Sequence, residues 1–236
     1  MTGSLNTNYS LLTTHSKTYA IIVAGGSGSR MQSAIPKQFL LLNGKPMMMY
    51  TIEAFYNSQA SPVIIVVLHP NQHEYWKNLC KEHDFRIPHH LANGGDTRFQ
   101  SVKNGLSLIE SESIIAVHDA VRPLTPIEVI DESYRHAAEH GNAIVAVQSR
   151  DSIRQLKNNK SAALLRDEIY LVQTPQTFRS GILKKAYEQE YQANFTDDAS
   201  VVELSGVDIH IINGTYTNIK VTFPEDIAIA EMILRR

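Results

Sequence analysis

An α/β fold is what this chain predicts: a mostly parallel twisted sheet covered by helices on both faces, with an arm protruding from it. Three observations point that way. Short runs of uninterrupted β-rich apolar residues recur along the sequence, segments with helical spacing separate them, and glycine-rich or charged clusters follow the ends of several runs. Parallel strands need crossover connections that lay helices over the sheet, so strands buried on both faces read as continuous apolar runs. In such sheets ligands gather at the carboxyl ends of the strands.

The expected strands are Tyr19–Val23, Val63–Leu68, Ile114–Val117, Ala143–Val147 and Val207–Ile212. The expected helices are Met47–Tyr56, Gln72–His83, Thr97–Ile109, Pro126–His140, Arg179–Gln192 and Pro224–Leu234. Thr125 reads as an N-cap, with Pro126 at the first helical position. Residues 1–18, rich in Ser, Thr and Asn, lack the basic and apolar regions of a secretory signal and read as a flexible lead-in. Residues 19–236 read as a single domain. The stretch Gln148–Gln173 breaks the alternation: it is polar, carries Arg150, Asp151, Arg154, Lys157 and Lys160, and reads as an arm leaving the core.

Composition narrows the function. The chain has 236 residues, enough to bury roughly 70 to 75% of the unfolded surface. A hydrophobic share of 43% and a charged share of 19% exclude a disordered or low-complexity chain. The net charge of -2 argues against a sequence-independent grip on nucleic acid or an anionic membrane. No apolar run approaches the roughly 20 residues of a membrane span. Cys80 is the lone cysteine, so there is neither an internal disulfide nor a Cys-rich zinc site, and a reducing cytoplasm is the expected compartment.

The chemistry concentrates after the predicted strands. The loop A-G-G-S-G-S-R-M, Ala24–Met31, lets backbone N–H groups approach phosphates closely, although a tight ligand-free turn has the same glycines. It matches neither the dinucleotide fingerprint nor the Walker A loop. Arg30 and then Lys37 follow it. Singly each reads as a surface charge, but two cations beside a phosphate cradle suit a reaction in which one phosphate attacks another. Gly94-Gly95-Asp96 reads alone as an ordinary turn capped by Asp or Thr, and Asp119 with Arg122 in H-D-A-V-R-P reads alone as a surface ion pair. The histidines are scattered, and no G-x-S-x-G elbow supports a hydrolytic triad. His118 has the place of a buttress for Asp119.

With those blocks in view, the chain resembles the glycosyltransferase-A-like nucleotidyltransferases, a Rossmann-like three-layer group, and within them the 2-C-methyl-D-erythritol 4-phosphate cytidylyltransferase family. The resemblance runs from about Tyr19 to the C-terminus, through A-G-G-S-G-S-R-M, P-K-Q-F, G-G-D-T-R-F-Q-S-V, H-D-A-V-R-P, S-R-D-S-I, T-P-Q-T-F, T-D-D-A-S and N-I-K-V-T-F-P-E-D. It implies a transfer of the cytidylyl group of CTP to a polyol phosphate. Ala24, Gly25, Gly26 and Gly28 would line the base and phosphate site, and Gly95, Asp96 and Ser101 would read the cytosine side. Arg30 and Lys37 would stabilise the α-phosphate in the transition state. Asp119, Arg122, Ser152, Arg166, Thr174 and Lys220 would contact the polyol phosphate, with Arg166 and Lys220 holding the attacking group.

The resemblance further implies Mg²⁺ bound mainly through the CTP phosphates, with no protein ligand assigned to it, and a homodimer in which the 148–173 arm reaches the partner's site. Val23 and Gly25 stand where the family commonly has Pro and Ala, and Ser152 replaces a frequent Thr. A relative that uses ribitol 5-phosphate shares several of the same blocks. A nucleotide-sensing module without turnover is the alternative of another class.

Overall fold

The structure is a computed structural model and describes residues 16–25 and 35–235. Eleven strands and seven α-helices follow in the order β1 (Lys17–Val23), β2 (Leu41–Leu42), β3 (Lys45–Pro46), α1 (Met47–Tyr56), β4 (Val63–Leu68), α2 (His73–Glu82), β5 (His90–Asn93), α3 (Arg98–Leu106), β6 (Ser113–Asp119), α4 (Ile127–His140), β7 (Asn142–Gln148), β8 (Arg154–Lys157), β9 (Lys160–Ala163), β10 (Tyr170–Arg179), α5 (Ser180–Ala186), α6 (Asp198–Leu204), β11 (Ile211–Asn213) and α7 (Pro224–Leu234) among the described residues.

Seven strands form the central sheet in the order β11-β7-β10-β6-β1-β4-β5. All neighbours pair in parallel except β10, which runs antiparallel to both β6 and β7. The period-2 alternation of a strand divides the core into two layers. Ala20, Ile22, Val66, Ala116 and Val145 face α1, α2 and α4, whereas Ile21, Val67, Val117 and Phe178 face α3, α5 and α6. Burying each Val, Ile or Phe side chain among these contributes about 1.5 to 3 kcal/mol, and strands used on both faces gather such gains along their whole length. This is why they appear as unbroken apolar runs. No helix among the described residues is long and apolar enough to cross a membrane.

Several expectations need correction. The first strand begins at Lys17, inside the segment read as lead-in, because Lys17 and Thr18 already pair with Ser113 and Ile114. Thr125 is not the N-cap of α4. Pro126 holds that position without a side-chain cap, and the Thr125 hydroxyl bonds Asn218 Oδ1 at 2.8 Å and the Arg122 carbonyl at 3.1 Å. The helix expected over Arg179–Gln192 ends at Ala186, where Gln189 Nε2 donates to the Ala186 carbonyl and ties the turn to Val201 O of α6. The strand expected over Val207–Ile212 is confined to Ile211–Asn213.

The arm is a hairpin, β8 with β9, all of whose residues are exposed. Its expected boundary runs too far, since Tyr170–Gln173 already belong to β10.

Candidate functional site

The carboxyl ends of β1, β5 and β6 open into two neighbouring cavities. The larger, about 310 Å³, is lined by Ala24, Gly25, Lys37, Gly95, Asp96 and Ser101 among others. The smaller, about 240 Å³, includes Arg122, Gln173, Thr174, Thr196 and Asp197. Arg98, Asp119 and Lys220 line both and so form the wall between them.

Each side of the larger cavity is fixed by backbone-directed bonds. Beyond β1 the chain stays in register, with Ala24 N–H donating to Val67 O at 2.9 Å. Gln38, 1% exposed, donates through Nε2 to Ala24 O at 2.8 Å and to Gln72 Oε1 at 2.9 Å, so the residue after Lys37 clamps the start of the glycine loop. Across the cavity Thr97 caps α3 by accepting from Gln100 N at 3.0 Å. Ser101 Oγ accepts from Gly95 N at 3.1 Å and donates to Thr97 O at 2.9 Å. Gly-Gly-Asp is thus a turn leading into a capped helix, and Asp96 lines the cavity.

Glycine is required at Gly95, where a Cβ would lie 2.2 Å from Gln100 Cγ and 2.6 Å from Gln100 Cβ. At Gly25 the ideal Cβ position is 3.2 Å from Ser101 Oγ, so a side chain there would press on the same hydroxyl.

The shared wall is built around one buried carboxylate. Lys220 Nζ lies 3.0 Å and Arg122 Nε 3.5 Å from Asp119 Oδ2, and Arg98 Nε lies 3.7 Å from Oδ1. Burial alone would raise the Asp119 pKa, but the three cations, Arg98 foremost, hold it well below the usual carboxylate range. Asp119 is therefore ionised at any working pH. Arg122 Nη1 donates to Asn218 O at 2.8 Å, while its Nε is buried without a hydrogen-bond partner.

Asn218 ties the Lys220 loop to the sheet: its Nδ2 donates to Thr174 O at 3.0 Å and its Oδ1 accepts from Thr125. Thr174 sits where the β10–β7 register shifts, between Val172 and Gln176, and its Oγ1 accepts the Asp119 N–H at 3.1 Å. His118 Nδ1 is 3.0 Å from the same hydroxyl, so His118 buttresses Asp119 through Thr174.

Of the residues singled out in the sequence, Ala24, Gly25, Lys37, Gly95, Asp96, Ser101, Asp119, Arg122, Thr174 and Lys220 are brought together on these two cavities. Gly26, Gly28 and Arg30 lie outside the described residues. Ser152 and Arg166 line neither cavity. Both are exposed on the arm, Arg166 with its Nε 3.5 Å from Asp167 Oδ1. The Asp119–Arg122 pair is buried, not a surface pair. Gln38, Arg98 and Asn218 join the site without a sequence signal of their own, although each stands inside one of the motifs P-K-Q-F, G-G-D-T-R-F-Q-S-V and N-I-K-V-T-F-P-E-D.

Cations gathered around one buried carboxylate between two adjoining cavities, beside a glycine-lined rim, suit two anionic ligands brought into contact. The family model for 2-C-methyl-D-erythritol 4-phosphate cytidylyltransferase matches residues 18–236. A Bacteroides thetaiotaomicron protein of that name is 48% identical over 218 residues, 92% of this chain and 100% of the relative. One from Lachnoclostridium phytofermentans is 38% identical, covering 93% of this chain and 97% of its own. Among solved structures, a 4-diphosphocytidyl-2C-methyl-D-erythritol synthase from Anaerococcus prevotii superimposes with a TM-score of 0.81 at 26% identity, covering 94% of this chain and 97% of the other. A Francisella tularensis 2-C-methyl-D-erythritol 4-phosphate cytidylyltransferase does so with a TM-score of 0.75 at 32% identity, covering 92% and 99%.

Proposed function

We infer that the chain, which belongs to the 2-C-methyl-D-erythritol 4-phosphate cytidylyltransferase family, performs that family's reaction across the wall between its two cavities. It is a nucleotidyltransferase that moves the cytidylyl group of CTP onto 2-C-methyl-D-erythritol 4-phosphate, giving 4-diphosphocytidyl-2-C-methyl-D-erythritol and pyrophosphate, in isoprenoid precursor synthesis. The observation that supports this assignment of roles is that Arg98, Asp119 and Lys220 line both cavities, a charged seam with a cavity on either side of it.

CTP occupies the larger cavity, its phosphates against the glycine loop and Lys37, its base toward Gly95, Asp96 and Ser101. The polyol phosphate occupies the smaller, contacted by Asp119, Arg122, Thr174 and Lys220. An oxygen of the 4-phosphate attacks the α-phosphorus in line; the bond from that phosphorus to the bridging oxygen breaks, and pyrophosphate takes the electron pair. The attacking phosphate is already ionised near neutrality, so the step needs no general base. Lys37, with Arg30, supplies fixed positive charge where the pentacoordinate phosphorus gathers negative charge.

Among the carboxylates on the cavity walls, Asp119 is already matched by three cations, which fits an ion carried by the triphosphate better than one caged by protein. Mg²⁺ would then offset phosphate charge, held chiefly through the phosphate oxygens of CTP.

The test is pyrophosphate release from CTP with methylerythritol phosphate and with ribitol 5-phosphate side by side. Turnover with the first and little with the second is expected. Preference for ribitol phosphate would overturn the substrate, and no turnover with either would leave a sensing module. Gly95→Ala forces Gln100 aside and is expected to raise the KM for CTP about tenfold, the effect of roughly 1.4 kcal/mol of overpacking.

The arm supports a homodimer. Leu156 and Leu165 are 72% and 70% exposed, and the substrate-contacting candidates Ser152 and Arg166 stand beside them, away from their own chain's cavities. If Arg166 serves the partner's site, mixing Lys37→Ala with Arg166→Ala proteins creates one intact site in each mixed dimer. Such a mixture is expected to recover about a quarter of wild-type activity after subunit exchange. A mixture no more active than its parents would place Arg166 in its own chain's chemistry or in none.

A further inference from the structure

We propose that Arg98, anchored by Asp198 and Tyr187, is a positioning residue that keeps Asp119 in place when Lys220 turns from it to the phosphate of the polyol substrate. The proposal rests on the division of the two cavities given above. Asp119 has three cationic neighbours of unequal freedom. The Lys220 side chain is 42% exposed, that of Arg98 28% and that of Arg122 9%. Lys220, a point charge on a flexible stem, is the one able to leave. It is also the one assigned to the incoming phosphate, so Asp119 must lose its nearest partner just as a second anion arrives beside it.

Arg98 is built to remain. Its Nη2 donates to Asp198 Oδ2 at 2.7 Å, and Asp198 is fully buried. The other carboxylate oxygen of Asp198 accepts from Tyr187 OH at 2.6 Å. The Tyr187 ring is buried and stacked on Phe99 at 4.6 Å, one residue after Arg98 on α3. The guanidinium is thus pinned from behind, with Nε left toward Asp119 Oδ1. A buried ion pair adds little stability over apolar residues of the same shape, so stability alone is a weak reason for this one.

Removing Arg98 alone would strand Asp198 as an unpaired buried charge and endanger the fold. Arg98→Met combined with Asp198→Asn removes one charge of each sign and leaves the net charge unchanged. The experiment compares wild type, this pair variant, Asp119→Asn and all three substitutions together. It reads kcat/KM for methylerythritol phosphate at saturating CTP, CTP affinity by calorimetry, and melting curves. The pair variant should lose about 10- to 30-fold in kcat/KM and less than about threefold in CTP affinity. In the Asp119→Asn background the same pair should cost less than about threefold, since no carboxylate is left to hold.

Equal losses in both backgrounds, or no loss in the first, overturn the proposal while leaving the family's reaction intact. Absence of wild-type turnover would instead count against the functional reading. The pair would then be judged by titrating the same four proteins with inorganic phosphate, where the same non-additivity is expected and additive losses overturn it.

Discussion

Replacing Lys37 by alanine is expected to lower kcat by about 10²- to 10³-fold, the effect of deleting one donor aimed at charge that develops in the transition state. The local fold should survive. Lys37 opens a single 3-10 turn whose buried members are the next two residues. Gln38 bonds Ala24 O and Gln72, and Phe39 stacks on Trp76 at 6.1 Å and meets Tyr75 edge-on at 5.1 Å. Alanine therefore withdraws a charge from the cavity wall and leaves the Gln38 and Phe39 contacts in place.

The loss should fall on kcat more than on either KM, because two like-charged reactants are forced closest in the transition state. Lys37→Arg, which keeps the charge on a different geometry, should recover part of the rate. Steady-state rates at saturating CTP and polyol phosphate decide it: an alanine variant within about threefold of wild type removes Lys37 from the chemistry.

What the sequence made legible follows burial. The strands β1, β4, β6 and β7 were readable because both faces are apolar. The central antiparallel strand β10 was not, since its buried part, residues 173–178, holds four polar residues and a proline, and polar residues in a core imitate a loop. Their polarity has tertiary partners: Gln176 donates to Asp197 Oδ2 and accepts from Ala199 N, and Thr177 donates to Ser133 Oγ. The two Gln176 bonds anchor α6, a short helix whose capping box, Asp197 with Ser200, stands inside the T-D-D-A-S block.

In the site, Lys37, Asp119 and Lys220 were legible because charge beside a strand end is itself the signal. Arg98 and Asn218 were not, because what they do is set by partners 100 and 96 residues away in the chain. In the sequence Thr97 is a ready cap at the head of the α3 turn, and nothing sets the arginine beside it apart from that turn.

Lowering the pH below 6.5 is expected to destabilise the protein by up to about 1.4 kcal/mol per pH unit through His118 alone. The ring is fully buried, its Nδ1 3.0 Å from Thr174 Oγ1, its Nε2 3.4 Å from Thr125 Oγ1 and the Phe55 ring edge-on at 5.0 Å. With Thr174 Oγ1 accepting from Asp119 N, a neutral imidazole that accepts at Nδ1 and donates from Nε2 satisfies both hydroxyls. Burial pushes its pKa down to about 3, and the Arg122 and Arg98 charges work in the same direction against the attraction of Asp119.

The folded state therefore stays unprotonated where the unfolded chain, titrating near 6.5, takes up a proton. The stabilisation is complete above pH 6.5 and is lost as the pH falls toward 3. The depressed carboxylate of Asp119 acts in a separate window: its contribution is present above about pH 4 and disappears only below it. Half-buried His89, and His136 facing His140 and His210, are shifted in the same direction as His118 and add to the slope in the wild type and in a His118 variant alike.

The measurement is urea unfolding from pH 4.5 to 7.5 for wild type and His118→Gln, which keeps a donor and an acceptor. The variant is less stable at neutral pH, but its stability should fall with acid by about one proton's worth less, roughly 1.4 kcal/mol per pH unit. Parallel curves for the two proteins would mean that His118 takes up its proton in the folded state as readily as in the unfolded chain, and that the Thr174 link to Asp119 does not depend on a neutral ring.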